Sequence, residues 1–310
     1  MESAEHIRPY LPVMKPDIEK FTELFQSVIW FPSEINLVQD RADWECLSAS
    51  EQHLLKRILA FFAVGDAYVL RNIPNFLACI QDTEIRRVYD MQAFHEHIHH
   101  KSYSIQLQAL VPLTEQAELL ASVTSSPKLV GITDWLAEHL GPITSLGERL
   151  VVFAFFEGVL FSGLFAMIQH FKEYNKLPGL TAFNEFIARD EGLHCYFACH
   201  LLTHHVEDRI PQLAVELIYA AGLGVTTAFI NDAFDGTVIG LTPEHVTQYV
   251  KYMADQTLAL SGYQPMFHVM NPLMYMDKLT LNGVLKTNFF EHRTSAYNRS
   301  VADNCDDWSD

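Results

Sequence analysis

The chain has 310 residues, 49% hydrophobic and 12% aromatic, which supports one large core and excludes a disordered chain. Its formal charge of −17, from 38 acidic against 21 basic residues, excludes a general nucleic-acid-binding surface, which needs clustered lysine and arginine. Five cysteines without a CxxC pair read as reduced thiols of a cytosolic-type compartment, and the N-terminal MESAEHIRPYLP lacks the basic-then-apolar pattern of a signal peptide.

Apolar residues recur with helical period almost throughout, strand alternation is scarce, and there is no internal repeat. In chain order, helices are predicted over Lys15–Val28, Ala49–Asn72, Asp82–Leu110, Thr114–Ser122, Lys128–Leu140, Pro142–Glu173, Leu180–His204, Pro211–Phe234 and Pro243–Gly262. Ser48 ahead of the third-position acid Glu51, and Thr242-Pro243-Glu244, are start signals. Tyr263–Leu285, with two prolines, a glycine and little periodicity, reads as irregular. From Arg293 the chain runs RTSAYNRSVADNCDDWSD, without an apolar face and with Asp303, Asp306, Asp307 and Asp310 crowding the end. The expected organisation is therefore one helical domain over 1–292 and a mobile acidic tail over 293–310.

Within the sixth predicted helix, LVVFAFFEGVLFSGLFAMI (Leu150 to Ile168) is long and apolar enough to cross a membrane, yet carries Glu157 near its middle. An unpaired carboxylate there is costly. Two other stretches explain it. QAFHEHIHHKSYS contains Glu96-x-x-His99, and FIARDEGLHCYF contains Glu191-x-x-His194. Residues three apart share a helix face, so each pair can present a carboxylate and an imidazole to one point.

One ExxH recurs by chance. Two of them, joined by one lone acid from each of two further helices, make the ligand set of a di-iron or di-manganese four-helix bundle. Glu157 is one such acid; Asp66, in RILAFFAVGDAYVLRNI, is the other and the only acid between Glu51 and Asp82. Four carboxylates balance two ferrous ions, and equally two ferric ions with an oxo bridge, so a neutral cluster can sit in a dry core. A single membrane span would instead strand the other buried acids and both histidines. His95, His97 and His100 read mainly as a solvated helix face, but His100 lies only about 40° from Glu96 on a wheel of ~100° per residue, which leaves an alternative to His99 as ligand.

At this point a family is recognisable. AFFAVGDAYVLRN, FHEHIHHKSYS, FFEGVLFSGLF, ARDEGLHCYFACH and KTNFFEHRTSAY resemble the small, radical-generating subunit of class I ribonucleotide reductase, from about Phe25 to Tyr297. The resemblance implies an all-α, ferritin-like di-iron bundle with extra helices. It implies two iron ions per chain, activated by dioxygen, with manganese as a possible substitute. Asp66, Glu96, His99, Glu157, Glu191 and His194 match the metal ligands. Tyr103 matches the radical tyrosine, and Phe161, Phe165 and Ile187 its dry pocket. Trp30, Asp190 and His99 match the radical relay, and Tyr297 the tail residue that passes the radical on.

The implied partner is the large subunit, reached through the tail, with Trp308 as candidate anchor; a homodimer and no nucleic acid are implied as well. The ending CDDWSD and an Asp66-to-Glu96 spacing about one residue tighter than the common pattern depart from the family. The compact chain looks more like viral versions than animal ones, which would put it in a host cytoplasm. The competing functions are a di-iron oxygenase or ferroxidase acting directly on a substrate, and a non-catalytic ferritin-like interaction protein.

Overall fold

The computed structural model describes residues 10–140, 144–207 and 209–279; the side chains of 66–72, 75, 76, 79 and 278 are not described. The expectations for Tyr297, Trp308 and the whole predicted tail lie outside the described residues. Eleven α-helices account for most of the described chain, and its only β-type pairing is a single bridge between Val238 and Leu241. The all-α expectation therefore holds.

The helices are α1 (Pro16–Ser27), α2 (Val38–Glu45), α3 (Ala49–Cys79), α4 (Thr83–Leu110), α5 (Leu113–Thr124), α6 (Pro127–His139), α7 (Leu146–Phe155), α8 (Phe161–Gln169), α9 (Pro178–His204), α10 (Gln212–Ala233) and α11 (Pro243–Leu260). A π turn, Phe156–Leu160, joins α7 to α8, and short 3₁₀ turns follow α8 and close the described chain. Four long elements carry the core: α3 packs on α4, α7 and α8 pack on α9, and α4 meets α9.

Local chemistry sets the starts. Ser48 and Glu51 form a reciprocal capping box at α3, Asp82 accepts from Glu84 N and Ile85 N at α4, and Ser145 accepts from Glu148 N at α7. The start of α9 is capped from a distance: Asp40 of α2 accepts from Gly179 N (2.9 Å) and Leu180 N (2.6 Å). A Cβ at Gly179 would lie 2.3 Å from Asn36 O, so only glycine lets these segments approach so closely.

Two details differ from the sequence expectation. Helix α2 was expected as loop; it is only 8 residues long and weakly amphipathic, held by Asp40 and by buried Trp44. Helix α3 continues through Pro74 to Cys79 instead of ending near Asn72. An internal proline costs about 3 kcal/mol of helix stability, and packing of the flanking Ile73, only 2% exposed, offsets it. The Asp255 carboxylate ties down the irregular segment after α11 by accepting from Met266 N, Phe267 N and His268 N.

The rod Leu146–Tyr174 has the length and hydropathy of a membrane span, but 94% of its apolar window is buried inside the protein. It is a core helix, and its apolar character needs no lipid. Among the described side chains, Cys46, Cys195 and Cys199 are free thiols.

Candidate metal centre

Glu96, His99 and Tyr103 lie along one face of α4, and Asp190, Glu191 and His194 along one face of α9, all of them buried. Glu157 reaches the same point from the π turn, where one extra residue per turn displaces the backbone. Gly158 permits this, because a Cβ there would lie 2.4 Å from Cys195 Sγ. The hydroxyl of Ser162 donates to Gly158 O (2.8 Å), satisfying a carbonyl of the widened turn. Asp66 lies on α3, which packs on α4, but its side chain is outside the described residues.

Two carboxylates straddle two imidazoles. Glu191 Oε1 lies 2.9 Å from His99 Nδ1, and its Oε2 lies 2.9 Å from His194 Nδ1. Glu96 repeats the pattern, with Oε2 3.6 Å from His99 Nδ1 and Oε1 3.1 Å from His194 Nδ1. Glu157 sits on the His194 side, 3.9 Å from Nδ1. Donor atoms of Glu96, Glu157, Glu191 and His194 all lie within 4.8 Å of one another. The arrangement has two subsites, one at each imidazole, with Glu96 and Glu191 shared between them.

Neither oxygen of Glu157 makes a hydrogen bond, and Glu96 Oε2 and Glu191 Oε1 both face His99 Nδ1. Buried polar groups are normally satisfied, so such a convergence of unsatisfied acceptors is the signature of a site built for cations. The donors are all oxygen or imidazole nitrogen, a set that suits iron or manganese.

Protons take over part of that role when the site holds no metal. Burial and the negative charges of Glu191 and Glu96 push the Glu157 carboxyl well up. Burial works against charge on His99 and His194, but the Glu191 carboxylate beside them raises both well above the ordinary imidazole value. Glu191 is held well below the carboxylate range, against its burial, by the charge of His194.

Each imidazole is oriented from behind. Asp190 Oδ2 lies 3.2 Å from His99 Nε2 and also accepts from Trp30 Nε1–H at 2.7 Å. Its other oxygen accepts from Arg189 Nε (3.0 Å) and Nη2 (2.9 Å). Trp30, on the segment after α1, is thus brought onto His99 by a residue 160 positions away. The α4 register is also decided: His99 is fully buried at the cluster, while His97 is exposed and His100 half-buried.

His95 is a residue the sequence reading missed. It is buried rather than solvated, stacks on Phe25 (centroids 5.4 Å, 12°), and places Nδ1 3.4 Å from His194 Nε2. Burial lowers it to about 4, so it is neutral and can accept the His194 Nε2 proton. That leaves His194 Nδ1 facing the centre, as Asp190 does for His99.

Tyr103 is 2% exposed. Its ring stacks on Phe62 at 4.7 Å and 6°, and Phe62 in turn packs on Phe161 (5.3 Å) and Phe165 (5.1 Å). Ile187 is buried on α9. Phe62 is a second omission from the sequence reading. Its signal was present, since it precedes Asp66 by four residues and so shares that face of α3.

The family model for the ribonucleotide reductase small chain matches residues 9–272. The chain belongs to the ribonucleotide reductase small-chain family. It is therefore the small chain of an oxidoreductase, and neither rival function is favoured. A ribonucleoside-diphosphate reductase small chain from African swine fever virus is 37% identical, over 94% of this chain and 91% of the relative. The ribonucleotide reductase Rnr4 homodimer of Saccharomyces cerevisiae has a TM-score of 0.80 at 22% identity, covering 85% of this chain and 84% of that one. A dimanganese(II)-NrdF from Streptococcus sanguinis has a TM-score of 0.74 at 20% identity, covering 87% and 98%. At those identities the two structures establish a shared fold. The family carries a dimetal site, and the buried carboxylate–histidine cluster of this chain could hold metal.

Proposed function

We propose that this chain is the radical-generating small subunit of a ribonucleoside-diphosphate reductase. Asp66, Glu96, His99, Glu157, Glu191 and His194 hold a metal pair, and Tyr103 carries the radical. The observation that supports this most is the indole of Trp30 sharing one oxygen of Asp190 with His99. Orienting a ligand histidine requires only the carboxylate. The indole adds nothing to metal binding, but it does supply a one-electron carrier.

When bound, an iron or manganese pair supplies the oxidising equivalents, drawn from dioxygen. Iron is the expected metal, and the same donors accept manganese. Tyr103 loses an electron and its phenolic proton together, leaving a neutral radical that an apolar pocket tolerates better than a charge. Phe62, Phe161, Phe165 and Ile187 keep water and reductants away from it.

Asp190 keeps the His99 proton on Nε2 and takes the indole proton of Trp30 in a hydrogen bond. An electron can then leave Trp30 with its proton shifting along that bond. Arg189 neutralises the carboxylate and ties it to Val28 O, 2.6 Å from Nη2, just before Trp30. Tyr297 passes the radical to the large subunit, which holds the nucleotide and its reducing cysteine. Residues 293–310 dock there through Trp308. The small subunit acts as a homodimer, in the cytoplasm, a placement that the free thiols support.

The test is electron paramagnetic resonance after anaerobic ferrous loading and exposure to oxygen, with metal counted per chain. The expected result is a tyrosyl doublet with about two irons per chain, and its loss with iron retained in Tyr103→Phe. Metal without a radical would favour a direct di-iron oxidase, and a folded chain that takes no metal would favour an interaction protein.

A further inference from the structure

A second group of donor atoms converges away from the centre, where α1 meets the end of α9. Asp17, in the first turn of α1, places Oδ2 2.8 Å from His200 Nε2 and 2.7 Å from His205 Nε2. These donor atoms all lie within 4.8 Å of one another. His200 is one helical turn from the end of α9 and His205 is its C-cap. No step of the proposed radical chemistry uses them.

We propose that Asp17, His200 and His205 form a peripheral site for one divalent first-row transition ion of the zinc class, completed by solvent. Both rings aim the same nitrogen at one carboxylate oxygen, and the oxygen is open enough for an ion to enter, with the Asp17 side chain 42% exposed. Two imidazoles and a carboxylate are the donor set of three-ligand zinc sites that keep a position for water. The set does not suit magnesium or calcium, which take oxygen ligands.

Metal–ligand bonds of about 2.1 Å at tetrahedral angles separate the donors by about 3.4 Å. The present spacing must widen by roughly 0.6 Å, which rotation of the half-exposed Asp17 side chain provides. The ligand rings are otherwise held in place. His200 packs on Phe21 at 5.0 Å and stacks on His204 at 4.3 Å and 20°.

Protonation favours the same use. Burial of Asp17 would raise its pKa, but hydrogen bonds from His200 and His205 hold it well below the carboxylate range. Burial lowers His200 despite the pull of Asp17, so its imidazole is neutral near pH 7. The negative end of the α9 dipole also favours a cation there. The ion would clip α1 to α9. Helix α1 carries Phe25, which stacks on His95, and leads directly to Val28 and Trp30, so the clip would secure the segment that brings the indole to Asp190.

The test uses the full chain, first loaded with ferrous iron, exposed to air and desalted. Zinc is then titrated by calorimetry, and bound zinc and iron are counted. Wild type should take one zinc per chain beyond what the centre holds, and its unfolding temperature should rise with zinc. His205→Gln keeps a hydrogen bond to Asp17 while removing the ring. It should weaken zinc by more than the roughly 10–100-fold that loss of an outer partner costs, with iron content and helicity unchanged. Asp17→Asn should do the same, and His97→Ala on α4 should not. Absence of the extra zinc in wild type, or equal zinc in wild type and His205→Gln, would overturn the site. Because the result is a difference between wild type and variants, it reads out even in a chain whose centre takes no iron.

Discussion

Replacing Asp190 with asparagine changes almost no volume and removes one charge from a side chain that is 1% exposed. The carboxylate faces donors on both oxygens: Trp30 Nε1 and His99 Nε2 on one, Arg189 Nε and Nη2 on the other. An amide offers one acceptor oxygen, so its NH₂ must face two donors whichever way it turns. Turned toward Trp30 and His99, it strands two buried donors. Turned toward Arg189, it loses bonds that water can partly replace, because that side chain is 19% exposed. The second orientation is the cheaper. Hydrogen bonds to charged groups contribute about 1.5–3 kcal/mol each, and breaking one partner of a buried pair costs about 3–5 kcal/mol. With partial relief from water, the expected loss is about 3–4 kcal/mol.

The assay is urea unfolding of the metal-free protein at neutral pH, followed by circular dichroism, with Trp30→Phe and the double variant completing a cycle. A coupling of about 0.5–3 kcal/mol between Trp30 and Asp190 is expected. The acid limb provides a further check. Burial opposes the charge on Asp190, but Arg189 and His99 hold its carboxyl well below the usual range. Its contribution is therefore present above the unfolded value of about 3.9 and lost as pH falls from there through the folded value. The asparagine variant should lose less stability than wild type over that acid range. A total effect under about 1 kcal/mol, or no coupling to Trp30, would refute the claim that Asp190 is a charged hub.

Four other outcomes are expected. Metal loading at pH 7 should release protons from His99, His194 and Glu157, measurable by calorimetry in buffers of different ionisation enthalpy, and metal affinity should fall as pH falls. Both histidines are raised on folding, so the stability they lend the metal-free protein is complete below about pH 6.5 and lost as pH rises through their folded values; a metal-free protein that gains stability over that range would contradict this. Deleting Ser300–Asp310 should leave the radical signal intact and abolish turnover that depends on the large subunit, and unchanged turnover would end the docking role. Gly158→Ala places a methyl 2.4 Å from Cys195 Sγ and 3.0 Å from Thr257 Oγ1, so it should cost about 1–3 kcal/mol in urea unfolding and loosen metal binding by displacing Glu157; wild-type stability would show that the π turn has room to spare.

What the sequence determined by itself was periodic and local. Glu96-x-x-His99 and Glu191-x-x-His194 place their side chains on helix faces through a spacing that the helix geometry imposes wherever the helix packs. Glu157 and Asp66 were legible because an acid in an apolar run has few explanations. Caps such as Ser48 and Thr242 were legible for the same local reason, since the bonds they make reach only three residues along the chain.

Tertiary structure decided everything that depends on which faces meet. His95 and His100 both lie near the Glu96–His99 face of α4 in sequence, and only the packing of α1 and α9 makes one buried and the other half-exposed. Helix α2 exists because Asp40 caps a helix 139 residues later, which no propensity within its 8 residues announces. Asp17 meets His200 and His205 across 183 and 188 residues. Hydrogen bonds and donor clusters of this kind form between groups that sequence separation keeps apart, so their geometry exists only once the helices have docked.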